Sequence, residues 1–335
     1  MKANFNIVDD LKNRILVIDG AMGTNINKCM LNEKDYKGEV LKEFPLALKG
    51  NNDILSVTNP EIVKNIHKGF LESGADIIET NTLNSTSISQ RDFNLEELVY
   101  KMNYESAKIA RELCNKFELK DGKKRYVAGA IGPTNKIASL SNDIANKSLR
   151  SVDFDELIEA YKEQIKALID GGIDIVLIET IINSLNAQAA IAAANEVYKE
   201  KDKSLPIMIS GTIADKSGRL LSGEDMLAFA KSIRNDNIIA IGLNCSFGAK
   251  GLLPIVKKIA EIQDLFILVY PNAGLPNEFG VYEESPKIMA AYIEEMLKEG
   301  YLNIVGGCCG TTFEHIKEIS KVANKYKPRK IKNML

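Results

Sequence analysis

Three cysteines carry the strongest chemical signal in this sequence. Cys245 stands in Gly242-Leu243-Asn244-Cys245, and the adjacent pair Cys308-Cys309 stands in Gly306-Gly307-Cys308-Cys309-Gly310. Each group ends a short apolar run that reads as a buried strand, so the three sulfurs can meet despite the sequence between them. Three thiolates with no histidine nearby make a soft-metal site with an open fourth position, and zinc is its natural occupant. An open position points to a substrate rather than to a purely structural metal. The flanking glycines supply turns that let neighbouring side chains converge where an extended strand would point them apart. Cys29, in a long loop, and Cys114, in a helical stretch, lack such partners and read as ordinary structural residues. The only histidines, His67 and His315, lie inside predicted helices, which excludes a two-histidine metal motif.

Other polar groups also stand at the ends of apolar runs. Asp19-Gly20-Ala21-Met22-Gly23-Thr24 is a glycine turn whose backbone N–H groups can receive a carboxylate while Asp19 holds an ammonium group. It is neither a dinucleotide fingerprint nor a Walker-type loop. Glu79 and Glu179 terminate strongly apolar strands, where an unpaired carboxylate is costly. A bound amine is one partner that would satisfy them; arginine or backbone pairing would serve as well. The pattern suggests a small zwitterion presenting a thiol to zinc.

Positioning these groups requires strands, and strand-like runs recur along the whole chain. They are Ile15–Asp19, Ile77–Asn81, Tyr126–Ile131, Ile175–Glu179, Pro206–Ser210, Ile238–Leu243, Phe266–Tyr270 and Asn303–Val305. Most are apolar throughout, as parallel strands covered on both faces are. Helix starts fall between them: Asn59-Pro60 and Ser285-Pro286 place proline in a first turn. Asp153 with Glu156, Ser222 with Asp225 and Thr311 with Glu314 have capping-box spacing. Gly74-Ala75-Asp76-Ile77-Ile78-Glu79-Thr80 is echoed at Gly172 to Thr180, each time as turn, strand and acid-threonine exit. Eight such units predict a single-domain (β/α)8 TIM barrel over residues 1–326, with long loops at Ala21–Thr58 and Gly132–Val152 after strands 1 and 3. A doubly wound sheet is the rival. In a barrel every polar segment named above converges on the C-terminal face. Residues 327–335 read as a basic tail or linker.

Composition limits the function. The 335 residues are 45% hydrophobic with a formal charge of -2, which supports a sizeable core and gives no electrostatic case for nucleic acid or an anionic membrane. No apolar run is long enough to span a bilayer, and the polar start is no signal peptide, so a cytoplasmic location is expected. Five cysteines without small-scaffold spacing argue against a disulfide framework.

The segments DGAMGT, LKGNNDIL, GADIIETNT, GPTN, SGT, GLNC, PNAG and GGCCGTT, in that order, resemble the homocysteine S-methyltransferase family from about Arg14 to Arg329. KGNNDIL and ETNTLNST narrow the resemblance to the homocysteine-binding module of cobalamin-dependent methionine synthases. That resemblance implies zinc on Cys245, Cys308 and Cys309, with Asn272 of PNAG as the fourth ligand before substrate arrives. It implies homocysteine held at its amino-acid end by Asp19, Gly20, Thr80 and Glu179. It further implies a methyltransferase activity in which the zinc thiolate takes a methyl group from methylcobalamin, giving methionine, with separate cobalamin-binding and folate-binding modules as partners. A free-standing methyltransferase using S-methylmethionine or S-adenosylmethionine is the alternative, and a zinc-stabilised binding or storage module is the non-enzymatic rival.

Overall fold

The computed structural model describes residues 6–136, 152–233 and 235–331. Eight strands, all parallel, run β1 (Leu16–Val17), β2 (Ile77–Glu79), β3 (Tyr126–Ile131), β4 (Ile175–Ile181), β5 (Ile207–Gly211), β6 (Ile238–Gly248), β7 (Phe266–Asn272) and β8 (Ile304–Val305). Their order is β1-β8-β7-β6-β5-β4-β3-β2, and a parallel bridge between Ile18 and Ile77 joins the two ends. The architecture is the expected (β/α)8 barrel. Each strand starts at the expected residue or one later, while β4, β6 and β7 run on past their expected ends. Those extensions build the site described below.

Two apolar layers hold the barrel. Its interior packs Leu16, Ile18, Leu177, Met208, Phe266, Leu268 and Ile304, and the helix Asn6–Asn13 seals the N-terminal end with Ile7 and Leu11. The outer layer lies between the sheet and the surrounding helices. At the N-terminal end, polar side chains before one strand tie down its neighbour. Asp76 accepts the Val17 N–H, Asp174 the Val127 N–H and Asn303 the Ile267 N–H, at 2.9, 2.9 and 3.1 Å. Arg14 and Lys123 neutralise the buried Asp76, and Arg111 pairs with Asp174. The internal sequence echo is thus a structural repeat: its aspartates stitch strands and its Glu-Thr pairs face the opposite, chemical end. Arg329 donates to the carbonyls of Ala260 and Leu265, so the chain stays docked on the barrel beyond residue 326.

The Ala21–Thr58 connection is more ordered than a long loop: it folds into the short helices Met22–Lys28, Glu33–Lys37 and Leu55–Thr58. Only residues 132–136 and 152 of the second long connection fall within the described residues. Pro60 and Pro286 do open helices. The capping expectations shift by local geometry. Asp153 caps alone, Asp225 rather than Ser222 caps its helix, and Thr312 forms its box with His315. No described helix is long and apolar enough to cross a membrane.

His67 is wholly buried in the helix Pro60–Glu72, with neither ring nitrogen hydrogen-bonded. Burial alone pushes its pKa down to about 4. Between an unfolded value near 6.5 and this folded value, the unfolded chain takes up a proton that the native one refuses. Stability is therefore fully present above about pH 6.5 and falls as the pH drops, by about 3 kcal/mol if the whole window is crossed. Asp53, raised to about 6 by burial, opposes this trend over part of the range. Melting temperatures of wild type and His67→Leu at pH 7 and pH 5 should diverge, with the variant losing less on acidification. Parallel pH profiles would contradict the assignment.

Candidate metal centre

Two bulges and one tight turn bring the chemistry together. Along β6 the pairing with β7 runs to Asn244 opposite Tyr270 and resumes only at Gly248 opposite Asn272. The intervening residues loop out, with Cys245 and Ser246 both at φ 59, and this re-aims the Cys245 side chain. Along β4 the register breaks between Ile178 and Ile181, placing Glu179 and Thr180 in a second bulge with Thr180 at φ 58. Positive φ in a β-branched residue is strained, a cost that persists only where surrounding contacts impose it.

After β8 the chain turns at once. Cys308 N–H donates to the Pro271 carbonyl at 2.7 Å, Cys309 C=O accepts from Ala273 at 2.9 Å, and the Thr311 hydroxyl closes the turn onto the Cys308 carbonyl at 2.7 Å. Gly310 completes it at φ 81. Adjacent cysteines sit in a turn rather than a strand, so their side chains need not alternate. Gly20 has a packing reason as well: a Cβ there would lie 2.8 Å from both Phe70 and Thr311.

The outcome is a cluster of Cys245, Cys308 and Cys309 whose sulfurs all lie within 4.8 Å of one another. Cys245 Sγ and Cys309 Sγ are 3.7 Å apart. Tetrahedral zinc with Zn–S bonds of about 2.3 Å places two sulfurs roughly 3.8 Å apart, so the Cys245–Cys309 spacing fits zinc. The cluster is a cysteine-rich metal-binding site consistent with zinc. Proton sharing within it is uneven. Hydrogen bonds with Cys245 and Cys309, together with burial, hold the Cys308 thiol well above the ordinary range, while hydrogen bonds with Cys245, Cys308 and Tyr282 favour the Cys309 thiolate. Cys114 is buried, with its thiol pushed up to about 12, and Cys29 is exposed, both away from the cluster. His315 serves a helix cap and touches the Glu284 carbonyl.

Cys308 and Cys309 share a cavity of about 210 Å³ with Asp19, Gly20, Thr80 and Glu179. Asp53 and Glu79 also line it, and among the described residues no lysine, arginine or histidine does. Asp19 accepts the Glu79 N–H through Oδ2 at 3.2 Å, but its buried Oδ1 has no partner. Burial pushes the Asp19 and Glu79 carboxyls well above the usual carboxylate range, and the neighbouring Glu179 adds to both shifts. Burial raises Glu179 to about 8 against the opposing Tyr270 hydroxyl. The Thr80 hydroxyl is committed inside the wall: it accepts Ala130 N–H at 2.9 Å and bonds Thr82 Oγ1 at 2.6 Å. Asn272 ends β7, 3% exposed, and its Oδ1 has no hydrogen-bond partner.

The sequence reading did not single out Asn244, Ser210, Tyr270 and Tyr282 as site residues. Ser210 Oγ, Tyr270 OH and Glu179 Oε2 form a chain of 2.6 and 3.3 Å contacts, and Asn244 touches both Ser210 and Glu179. Polar residues embedded in the apolar runs of β5, β6 and β7 were the available signal.

Comparison with known proteins fixes the relationship. A family model described as homocysteine S-methyltransferase matches residues 16–323. Among solved structures, the homocysteine methyltransferase MmuM from Escherichia coli aligns in its metallated form with a TM-score of 0.71 and 20% identity, over 94% of this chain and 98% of that one. Its apo form aligns with a TM-score of 0.66 and 19% identity over the same shares. At such identity these structures speak for the fold. They also correct the narrower expectation of a methionine synthase module fed by methylcobalamin. The barrel spans MmuM end to end, leaving no share of that chain for cobalamin-binding or folate-binding domains. With the match extending over nearly all of its length, the chain belongs to the homocysteine S-methyltransferase family.

Proposed function

We propose that this protein transfers a methyl group to the sulfur of homocysteine from a cationic sulfonium donor, S-methylmethionine or S-adenosylmethionine. The observation that carries the reading is one cavity in which Cys308 and Cys309 share the wall with Asp19, Asp53, Glu79 and Glu179 and, among the described residues, with no cationic side chain. Such a wall favours ligands bearing positive charge. Homocysteine brings an ammonium group, and a sulfonium donor brings another cation.

Cys245, Cys308 and Cys309 are the residues that would hold zinc, and zinc there would favour the thiolate form of a bound thiol and orient its sulfur. The unpartnered Asn272 Oδ1 supports this side chain as the fourth ligand before substrate arrives. Amide oxygen would be a weak ligand in a sulfur-rich site, one that a substrate thiolate could replace. At the amino-acid end, the free Asp19 Oδ1 and the Glu179 carboxylate receive the ammonium group, which ionises acids that the empty cavity keeps protonated. The Gly20 turn offers backbone N–H groups to the carboxylate, while Thr80 shapes the wall. The homocysteine thiolate, its proton released to solvent, then attacks the donor's methyl carbon. The C–S bond of the sulfonium breaks, its electron pair stays on the departing sulfur, and that sulfur leaves as a neutral thioether.

The test is methionine formation by one zinc-loaded preparation offered each donor in turn. Turnover with S-methylmethionine or S-adenosylmethionine is expected, at least a hundredfold above a donor-free control. Absence of methionine with both sulfonium donors would contradict the reading.

A further inference from the structure

Asn244 is fully buried at the point where β4, β5, β6 and the Cys308 turn meet. Its Oδ1 accepts Thr180 N–H at 3.0 Å and Ser210 Oγ at 2.7 Å, and the obligate N–H donor of Thr180 fixes which end of the amide is oxygen. Its Nδ2 donates to Thr180 Oγ1 at 2.8 Å and also lies 3.5 Å from Glu179 Oε2 and 3.9 Å from Cys308 Sγ. An amide nitrogen carries two hydrogens. One is committed to Thr180 by the short contact. The other stands between a carboxylate oxygen and a thiol sulfur, both at long range.

We propose that Asn244 is the positioning residue that couples recognition of the substrate amine to capture of its thiolate. The proposal rests on the homocysteine reading above. With the cavity empty, Glu179 and Cys308 compete for the second amide hydrogen. When a ligand ammonium group engages Glu179, that oxygen no longer needs the amide, and the hydrogen turns to Cys308. A hydrogen bond to a metal-bound cysteine sulfur draws charge from it, leaving the metal better able to hold a fourth thiolate. Asn244 also clamps the strained Thr180 from both sides, so it fixes the Glu179 carboxylate through the backbone as well.

The clamp and the coupling separate in a Thr180→Ser background, because serine keeps the hydroxyl acceptor that holds the first amide hydrogen and lacks the β-branch that makes a φ of 58 so costly. The experiment measures binding of three ligands to the zinc-loaded Thr180→Ser protein and to the Thr180→Ser, Asn244→Ala double variant. The ligands are homocysteine, 4-mercaptobutanoate (no amine) and 2-aminobutanoate (no thiol). In the single variant, removing the amine should weaken thiol binding by about tenfold more than in the double variant, the scale of coupling between groups in contact. Binding of 2-aminobutanoate should differ by less than threefold between the two proteins. In Co(II)-substituted protein, the sulfur-to-metal charge-transfer band should shift between the two thiol ligands in the single variant and not in the double. Asn244→Ser, which keeps a buried hydroxyl for the neighbouring polar groups, adds no charge and has no amide hydrogen to share, should reproduce the loss and covers the case in which alanine impairs folding. An amine penalty equal in all variants overturns the coupling while leaving the homocysteine reading intact. Failure of the zinc-loaded wild type to bind homocysteine at all overturns both.

Discussion

Replacing Cys308 and Cys309 together with alanine is expected to abolish stoichiometric zinc binding and to lower methyl transfer to homocysteine by at least about a thousandfold, since a metal-activated nucleophile supplies several kcal/mol of the barrier reduction. The two sulfurs share one turn, Cys309 lies 3.7 Å from Cys245 and all three lie within 4.8 Å of one another, so Cys245 left alone cannot make a three-sulfur site. The barrel itself should survive. The turn is held by backbone bonds to Pro271 and Ala273 and by the Thr311 hydroxyl, none of which needs a thiol. Circular dichroism and metal analysis on the same preparation make the distinction. A folded double variant that retains one zinc per chain would contradict the site.

The second large effect is expected at Glu179. Glu179→Gln keeps the side chain's size and its contacts with Tyr270 and Asn244 but removes the charge proposed to meet the ammonium group. Homocysteine affinity should fall by about a hundredfold, the scale of one charge-assisted hydrogen bond. Zinc content should stay unchanged, and binding of 4-mercaptobutanoate should barely move. A variant that loses both thiol ligands equally would place Glu179 in the metal site instead.

These effects rest on features of unequal visibility in the sequence. The barrel was legible because its strands are short, mostly apolar and separated by helix starts with proline or aspartate caps, and because the aspartates of the Gly74 and Gly172 repeats do the same stitching in both places. The cysteine cluster was legible for a related reason: glycines flank Cys308 and Cys309, and an apolar run leads into Cys245. The bulges were not. Thr180, Cys245 and Ser246 take positive φ without being glycine, and no local pattern marks them. At Thr180 the conformation is held by tertiary contacts with Asn244, whose role depends on four chain segments meeting.

The branch assignment failed for a physical reason that the structure makes plain. The segments used to narrow it bind one another. Asp53 accepts from Asn84 N–H and Ser85 Oγ, Asn81 donates to the Asn52 carbonyl, and Asn51 pairs with Gln90. Hydrogen bonds that hold two loops together do not mark one branch of the family over another.

The central claim is a three-sulfur metal centre whose fourth position belongs to the substrate thiol. X-ray absorption at the zinc edge counts these ligands directly. For the substrate-free protein the account predicts three sulfurs and one light atom, and with saturating homocysteine it predicts four sulfurs. A first shell that is unchanged by homocysteine, or that holds fewer than three sulfurs at the start, would contradict it.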